Sequence, residues 1–246
     1  MADIKPYYSR DGITIYHADC REVLTAPDCW PIAAIVTDPP YPSYLTKEYR
    51  YCPETIISVL NGFTCRQFVF WTPAAPFPLS YSGKRIWDKA VGTPTQFEEI
   101  YERNNSSGYK IHRHYRHNNA LSARWVGDVS LDHPSQKPIR LIRELIALLP
   151  DTLLVSTEDN FAFSILDPFM GSGTTLRAAK DLGRQAIGIE IDERYCEIAA
   201  KRLEQQVLPF SDDPPPYDSK AVFKQAELYP HTVFPSAKIV PSEPNE

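Results

Sequence analysis

The sequence has no long hydrophobic run. None of its apolar stretches reaches the roughly 18 residues that a membrane-spanning helix requires, and the first six residues lack the apolar core of a signal peptide. From these two absences we expect a cytoplasmic protein with no membrane partner.

Cysteine pairs of the kind that bind zinc are missing as well. The cysteines are odd in number and widely spaced, and none forms the short spacing of a zinc site. We therefore expect reduced thiols and no bound metal at these positions, which are Cys20, Cys29, Cys52, Cys65 and Cys196.

Positive charge is scarce overall, since the formal net charge is −5. Taken alone, this value argues mildly against a nucleic-acid partner. The charges are segregated, however, because no acidic residue occurs from Arg103 to Gly127. A solvated loop is one interpretation of this stretch. The other is a DNA-contacting surface, for which the candidate phosphate-binding residues are Arg103, Lys110, Arg113 and Arg116.

Continuous apolar runs that end in polar turns predict strands buried on both faces. Such runs cover residues 13–16, 32–36, 68–71, 161–166 and 185–190, and shorter strands, suited to antiparallel pairing, are expected at 85–87 and 97–101. Helices are predicted from Pro138, from Thr174 to Leu182 and from Asp192 to about Gln206. This alternation predicts an α/β fold with a mostly parallel, doubly wound sheet.

The composition changes near residue 209. Proline becomes dense and the apolar periodicity disappears, so residues 209–246 are interpreted as a largely extended or disordered tail. The remaining residues, 1–208, form the predicted catalytic domain.

A glycine-containing loop runs from Asp167 to Thr175, between a predicted strand and a predicted helix. Gly171 and Gly173 permit a tight turn and close approach of a ligand to the backbone, and the helix N-terminus favours an anionic group such as a carboxylate. Glu190 follows Gly171 by 19 residues, at the end of the next strand. An acid at this place binds ribose hydroxyls in nucleotide-binding α/β folds, so the pattern predicts nucleoside binding.

A second loop, Asp38-Pro39-Pro40-Tyr41, follows another buried strand. The Asp38 carboxylate and a prolyl carbonyl can accept hydrogen bonds from an exocyclic amine, which localises the nitrogen lone pair for attack on a methyl group. The prolines hold these acceptors in place, and Tyr41 offers a face for a flipped-out base. A plain turn at the end of a strand is the alternative, but the presence of both loops in one chain favours amino-methyl transfer.

The two loops and their order resemble the β group of DNA amino-methyltransferases, in which the catalytic motif precedes the cofactor loop. The resemblance spans about residues 13–206 and rests on segments 16–20, 37–41, 87–89, 133–138, 167–175 and 188–192. It implies the fold of the S-adenosylmethionine-dependent methyltransferases with a small recognition insertion, for which residues 90–132 are the candidate.

The resemblance also implies roles for individual residues. Asp38, Pro39, Pro40 and Tyr41 would be catalytic. The cofactor, S-adenosylmethionine, would be held by Asp19, Cys20, Ser135, Lys137, Pro138, Asp167, Pro168, Phe169, Gly171, Ser172, Gly173, Thr174 and Glu190.

The expected function is site-specific methylation of adenine N6 in DNA, since Asp at the first motif position is commoner in adenine enzymes of this family and Ser in cytosine-N4 enzymes. Cytosine-N4 methylation and an inactive DNA-binding relative are the alternatives. The family further implies a bacterial or phage-infected cell and a restriction-modification setting. Relatives often pair, so a homodimer is an open alternative to a monomer.

Overall fold

Buried strands and amphipathic helices together bring the polar ends of several strands to one edge of a sheet. A computed structural model describes residues 5–25, 32–41, 56–89, 97–105, 114–116, 136–149 and 164–205. The strands are β1 (Tyr8–Arg10), β2 (Ile13–His17), β3 (Ile32–Thr37), β4 (Arg66–Trp71), β5 (Gly83–Asp88), β6 (Phe97–Arg103), β7 (His114–Arg116), β8 (Ser164–Asp167) and β9 (Ala186–Glu190).

The helices are α1 (Cys20–Val23), α2 (Ile139–Ile146), α3 (Thr174–Asp181) and α4 (Glu193–Glu204), with a short 3₁₀ helix at Ser58–Gly62. Among the described residues, no helix is long and apolar enough to cross a membrane. Helix α4 begins where the Asp192 side chain accepts a hydrogen bond from the backbone N–H of Arg194, which satisfies a donor that the first helical turn leaves unpaired.

Within the described residues, nine strands form one sheet in the order β1-β2-β9-β8-β3-β4-β6-β5-β7. The strands from β2 to β4 in this order run parallel to one another, whereas β6 pairs antiparallel with both β4 and β5. Strand β3 lies beside β8, although the two are far apart in sequence. The carboxyl ends of the parallel strands therefore meet at one edge, where open α/β sheets place their ligands.

The sheet is covered on both faces. In β4, Phe68 and Phe70 belong to one buried cluster, which also contains the apolar side chains of α2, α3 and α4. Val69 and Trp71 point to the opposite cluster, which contains residues of α1 and Leu60 of the 3₁₀ helix. This alternation with period two shows why β4 reads as a continuous apolar run, and it confirms the predicted doubly wound α/β fold.

Some details of the sheet go beyond what the sequence predicts. Strand β6 lies inside the sheet between β4 and β5, so this part of the segment 90–132 belongs to the sheet, and the role of the segment in recognition stays a prediction. Strands β1 and β7 had no clear apolar signal, because they are short and lie at the two edges of the sheet. The tail at 209–246 lies outside the described residues, and the division at residue 208 stays a prediction.

Candidate active site

The two loops singled out in the sequence lie side by side. Strands β3 and β8 are parallel neighbours, so the loop after Thr37 and the loop that begins at Asp167 leave the sheet at the same edge. The Thr37 hydroxyl donates a 2.7 Å hydrogen bond to Oδ1 of Asp167. This contact joins the roots of the two loops although 130 residues separate them in sequence.

The glycine loop turns sharply into α3. Gly171 and Gly173 have φ values of 49° and 78°, a region that L-residues with a side chain rarely adopt. A Cβ atom on Gly173 would also lie 2.7 Å from Cβ of Ala199. Glycine is therefore required at this position both by the backbone turn and by the packing of α4 against the loop.

Glu190, at the end of β9, is held by this loop. Its Oε2 accepts a 2.9 Å hydrogen bond from the backbone N–H of Gly171, and its Oε1 accepts one of 2.9 Å from that of Asp192. Burial raises the pKa of Glu190, and these amide donors oppose the rise. The carboxylate is thus oriented by the backbone at one wall of the site.

Asp19 and Cys20 form the neighbouring wall at the end of β2. The Asp19 side chain caps α1 by accepting a hydrogen bond from the backbone N–H of Arg21. The same carboxylate forms an ion pair of 2.5 Å with the guanidinium of Arg21. Hydrogen bonding from Arg21 lowers the pKa of Asp19. Burial raises the pKa of the Cys20 thiol to about 12, so Cys20 acts here as a small neutral side chain.

The loop from Asp38 to Tyr41 carries a network of charges. The Tyr41 hydroxyl donates a 2.5 Å hydrogen bond to Oδ1 of Asp38, and the Lys137 ammonium is ion-paired with Oδ2 of the same carboxylate. Lys137 also lies 3.2 Å from Oε2 of Glu98, whose Oε1 pairs with Lys89 at 2.6 Å. Two carboxylates and two ammonium groups therefore balance one another beside this loop.

Burial and these neighbours act in opposite directions on the two acids. Burial raises the pKa of Asp38, with Lys137 opposing the rise. For Glu98, Lys137 and Lys89 outweigh the effect of burial and lower the pKa. The ammonium of Lys137 is stabilised by both carboxylates, which raise its pKa against the effect of burial.

Both loops open into one cavity of about 360 Å³, which is within the usual range for small-molecule sites. The N-terminus of α3 offers N–H groups for an anionic end of a ligand. Glu190 offers an acceptor for hydroxyl groups, and Phe169 and Ile189 offer apolar surface. The chemistry of this lining fits a nucleoside that carries a charged tail.

Most of the residues predicted from the sequence line this cavity. They are Asp19, Cys20, Asp38, Pro39, Pro40, Tyr41, Lys137, Asp167, Pro168, Phe169, Gly171, Ser172, Thr174 and Glu190. Pro138 and Gly173 stand at the N-cap positions of α2 and α3, so these two residues shape the backbone beside the cavity. Ser135, Lys110 and Arg113 lie outside the described residues, as does the side chain of Arg116.

The structure contradicts the expected DNA contact of Arg103. This residue is buried, and its guanidinium donates hydrogen bonds to the side chains of Gln67 and Asn61 and to the carbonyl of Ser80. It occupies the last position of β6, where its side chain turns into the protein. A basic stretch in the sequence does not reveal which of its members end a buried strand.

Sequence reasoning missed Glu98 and Arg202. Glu98 lies two residues before the apolar Ile100 on β6, so both side chains point to the same face of the strand. This period-two spacing was the signal in the sequence that Glu98 faces inward. Arg202 of α4 is buried, and it donates hydrogen bonds of 2.7 Å to the carbonyl and 3.2 Å to the hydroxyl of Ser172. These hydrogen bonds hold the glycine loop against α4. Within the described part of the chain, no cluster of His, Cys, Asp or Glu is arranged to hold a metal ion.

Comparison with curated proteins gives short, strong matches and one long match. The chain is 44% identical to the type II methyltransferase M2.LlaDCHI of Lactococcus lactis subsp. cremoris over 84 residues, which are 34% of this chain and 26% of that protein. It is 26% identical to M.ScaI of Streptomyces caespitosus over 278 residues, covering 84% of this chain and 88% of that protein. The first of these alignments thus spans about a quarter of its relative.

Solved structures share the fold. The complex of M1.HpyAVI with SAM superposes with a TM-score of 0.53 at 24% identity, covering 78% of this chain and all of that one. The cytosine-N4-specific PvuII DNA methyltransferase gives a TM-score of 0.56 at 16% identity, covering 84% and 91% of the two chains. The DNA methylase family model, N6_N4_Mtase, matches residues 77–201, just over half of the chain. With its two loops at neighbouring strand ends of this fold, the chain belongs to the N6/N4 family of DNA methylases.

Proposed function

We propose that the protein transfers a methyl group from S-adenosylmethionine to an exocyclic amino group of a DNA base. The observation that carries this proposal is the common cavity of the two loops. Asp38 and the glycine loop line the same cavity, and the hydrogen bond between Thr37 and Asp167 keeps their roots together.

The cavity residues fit the cofactor by their chemistry. The N-terminus of α3 suits the carboxylate of the methionine part, and Glu190 suits the ribose hydroxyls. The family resemblance implies that Asp19 and Cys20, which line the cavity, lie beside the adenine of the cofactor. When bound, S-adenosylmethionine would supply a sulfonium methyl group to the target nitrogen, with the C–S electron pair leaving on sulfur and one N–H proton of the amine passing to solvent.

The chain itself positions the amine. The Asp38 carboxylate accepts a hydrogen bond from one N–H of the target amino group, which concentrates the lone pair on nitrogen. Its Oδ1 is fixed by the hydroxyl of Tyr41. The Tyr41 ring is itself held edge-on to Trp71 at a centroid distance of 5.5 Å, so the acceptor is oriented before the base arrives.

We propose adenine N6 as the target because Asp38, and not Ser, stands at the first position of the motif. Such a site requires the base to leave the duplex. Cytosine N4 is the second candidate, since both amines present the same two N–H donors. The M1.HpyAVI and PvuII neighbours share the fold at low identity and do not choose between the two bases.

Methyl-labelled cofactor and DNA of mixed sequence test the proposal. We expect label in the DNA, and N6-methyladenine after hydrolysis and nucleoside analysis. N4-methylcytosine would select the second candidate. Cofactor binding by calorimetry without label in any DNA would instead indicate an inactive DNA-binding relative, and it would reject the proposal.

An Asp38→Ala variant tests the assigned residue. It should bind cofactor with an affinity close to that of the wild type, while the rate of transfer falls by roughly 10²-fold or more, because a preorganised acceptor is lost. The exposed Asp11 lies in the turn between β1 and β2, away from the cavity, and Asp11→Asn is the matched control. An Asp38→Ala variant as active as Asp11→Asn would remove Asp38 from the mechanism.

A further inference from the structure

Lys137 is shared between two carboxylates beside the catalytic loop. Its side chain is 7% exposed, and its ammonium contacts Oδ2 of Asp38 and lies 3.2 Å from Oε2 of Glu98. A buried ammonium requires such partners, because burial without them strongly disfavours its charge. The position of the lysine is therefore set by both acids together.

Aromatic rings restrict where this ammonium can lie. Its nitrogen is 5.3 Å from the ring centre of Phe70, 5.8 Å from that of Tyr41 and 5.9 Å from that of Trp87. Cation–π attraction at these distances favours the charged form in its present place. Because the ammonium already contacts both carboxylates, a shift of its hydrogen bonding from Asp38 to Glu98 requires little displacement.

Both oxygens of Asp38 already accept hydrogen bonds. Tyr41 occupies Oδ1 and Lys137 occupies Oδ2. An incoming amino group must share one of these oxygens. Of the two donors, Lys137 has a second acceptor next to it, in the carboxylate of Glu98. The Tyr41 hydroxyl is 3.3 Å from Oε2 of the same residue, so Glu98 supports both donors.

We infer that Glu98 is a positioning residue of the methyl-transfer site: it holds Lys137, and it takes over the hydrogen bond of that ammonium when the target amino group engages Oδ2 of Asp38. The inference rests on the proposed function and names a device that serves it. Glu98 acts through Lys137 and Tyr41 and does not line the cavity, so it is not a catalytic residue.

Glu98→Gln tests this role, because it keeps the shape of the side chain and removes its charge. Lys137 would then keep Asp38 as its anionic partner, while the amide oxygen of the substituted side chain would offer only a neutral acceptor. We expect kcat to fall roughly 10- to 100-fold, which corresponds to the loss of a hydrogen bond to a charged group, while the Kd for cofactor stays within about twofold of wild type. The adjacent Glu99 binds Lys84 and Tyr101, and Glu99→Gln is the matched control.

The pH profile separates positioning from a purely structural role. The negative charge of Glu98 helps to raise the pKa of Asp38, so its removal should move the acidic limb of the rate profile to lower pH. Glu98→Asp restores the charge and should return that limb towards the wild-type position. Among the described residues, the titratable groups that face Asp38 are Lys137, Tyr41 and Asp167. Those that face Glu98 are Lys89, Lys137 and Tyr41.

Wild-type transfer is measured first. Its absence would reject the proposed function, whereas the inference about Glu98 fails separately if Glu98→Gln matches Glu99→Gln in kcat or leaves the acidic limb unmoved. If Glu98→Gln does not fold, Glu98→Asp decides alone. Its carboxylate is one methylene farther from Lys137, so a kcat at least about threefold below that of wild type supports the inference, and a wild-type kcat overturns it.

Discussion

Burial opposes the ionisation of the Asp167 carboxyl group. Asp167 is buried at the end of β8, and burial raises its pKa from 3.8 to about 6, against hydrogen bonds from Thr37, Thr175 and the N–H of Phe169. The folded state therefore binds this proton more tightly than the unfolded chain. The resulting stabilisation is present at low pH and is lost as the pH rises towards 6.

An Asp167→Asn variant should lack this dependence. We expect its free energy of unfolding, relative to that of wild type, to increase by about 1 kcal/mol between pH 5 and pH 7.5. The reason is that only the wild type loses the contribution of the protonated Asp167 over this interval. Urea denaturation at the two pH values measures the difference. A constant difference between the two proteins would mean that Asp167 has an ordinary pKa in the fold.

Arg103 illustrates how one basic residue can be structural. Inside the protein, its guanidinium donates hydrogen bonds to the side chains of Gln67 and Asn61 and to the carbonyl of Ser80. Arg103→Ala should lower the free energy of unfolding by about 1–3 kcal/mol, since buried acceptors lose their donor. Chemical denaturation measures this loss.

The exposed Arg140 of α2 supplies the control for Arg103. Arg140→Ala should change stability by about 0.5 kcal/mol or less, as surface substitutions usually do. The salt dependence of DNA binding should not differ between Arg103→Ala and wild type, because a buried guanidinium displaces no counterions from phosphates. A shallower salt slope in Arg103→Ala would restore it as a DNA contact.

At the scale of elements, α3 connects the cavity loop to the body of the sheet. Glycine precedes the helix at Gly173 and follows it at Gly183, and both have positive φ. Their surroundings differ, because a Cβ on Gly173 would clash with Ala199 while a Cβ on Gly183 would meet nothing within 4 Å. An alanine at Gly183 therefore tests backbone strain alone, whereas an alanine at Gly173 tests strain and packing together.

Gly183→Ala should cost about 1–2 kcal/mol of stability through its backbone alone. Gly173→Ala should cost about 1–3 kcal/mol more, since α4 must shift to admit the methyl group, and it should also weaken cofactor binding. Thermal denaturation and calorimetry measure the two effects. Equal losses in the two variants would show that the loop and α4 are less tightly packed than the structure indicates.

At the scale of the whole molecule, the cavity joins distant parts of the chain. Its walls come from the ends of β2, β3, β8 and β9 and from the start of α2. A ligand that fills it should stabilise the entire fold, because only the folded chain assembles all of these walls.

S-adenosylhomocysteine, the expected product, should therefore raise the melting temperature in a concentration-dependent manner. At 100 times its Kd the stabilisation is about 2.7 kcal/mol. At equal ligand concentration, Glu190→Ala should show a smaller shift, whereas Glu204→Ala, at the exposed end of α4, should match the wild type. Equal shifts in all three proteins would remove Glu190 from the cofactor site.

The sequence alone determined the α/β class, the two loops and most of the cavity residues. These features are local, because a buried strand is continuously apolar and a loop at its carboxyl end carries glycine, proline and acids within a few residues. The hydrophobic face of α2 and the capping aspartate of α4 were predictable for the same reason.

Only the tertiary structure decided which distant residues meet. The order of the strands placed β3 beside β8, and it brought Lys137 and Glu98 to Asp38 across 99 and 60 residues of sequence. It also buried Arg103 at the end of an internal strand. Such contacts depend on strand order and on desolvation, which no local pattern encodes, and so the charge network around the catalytic loop emerged only from the fold.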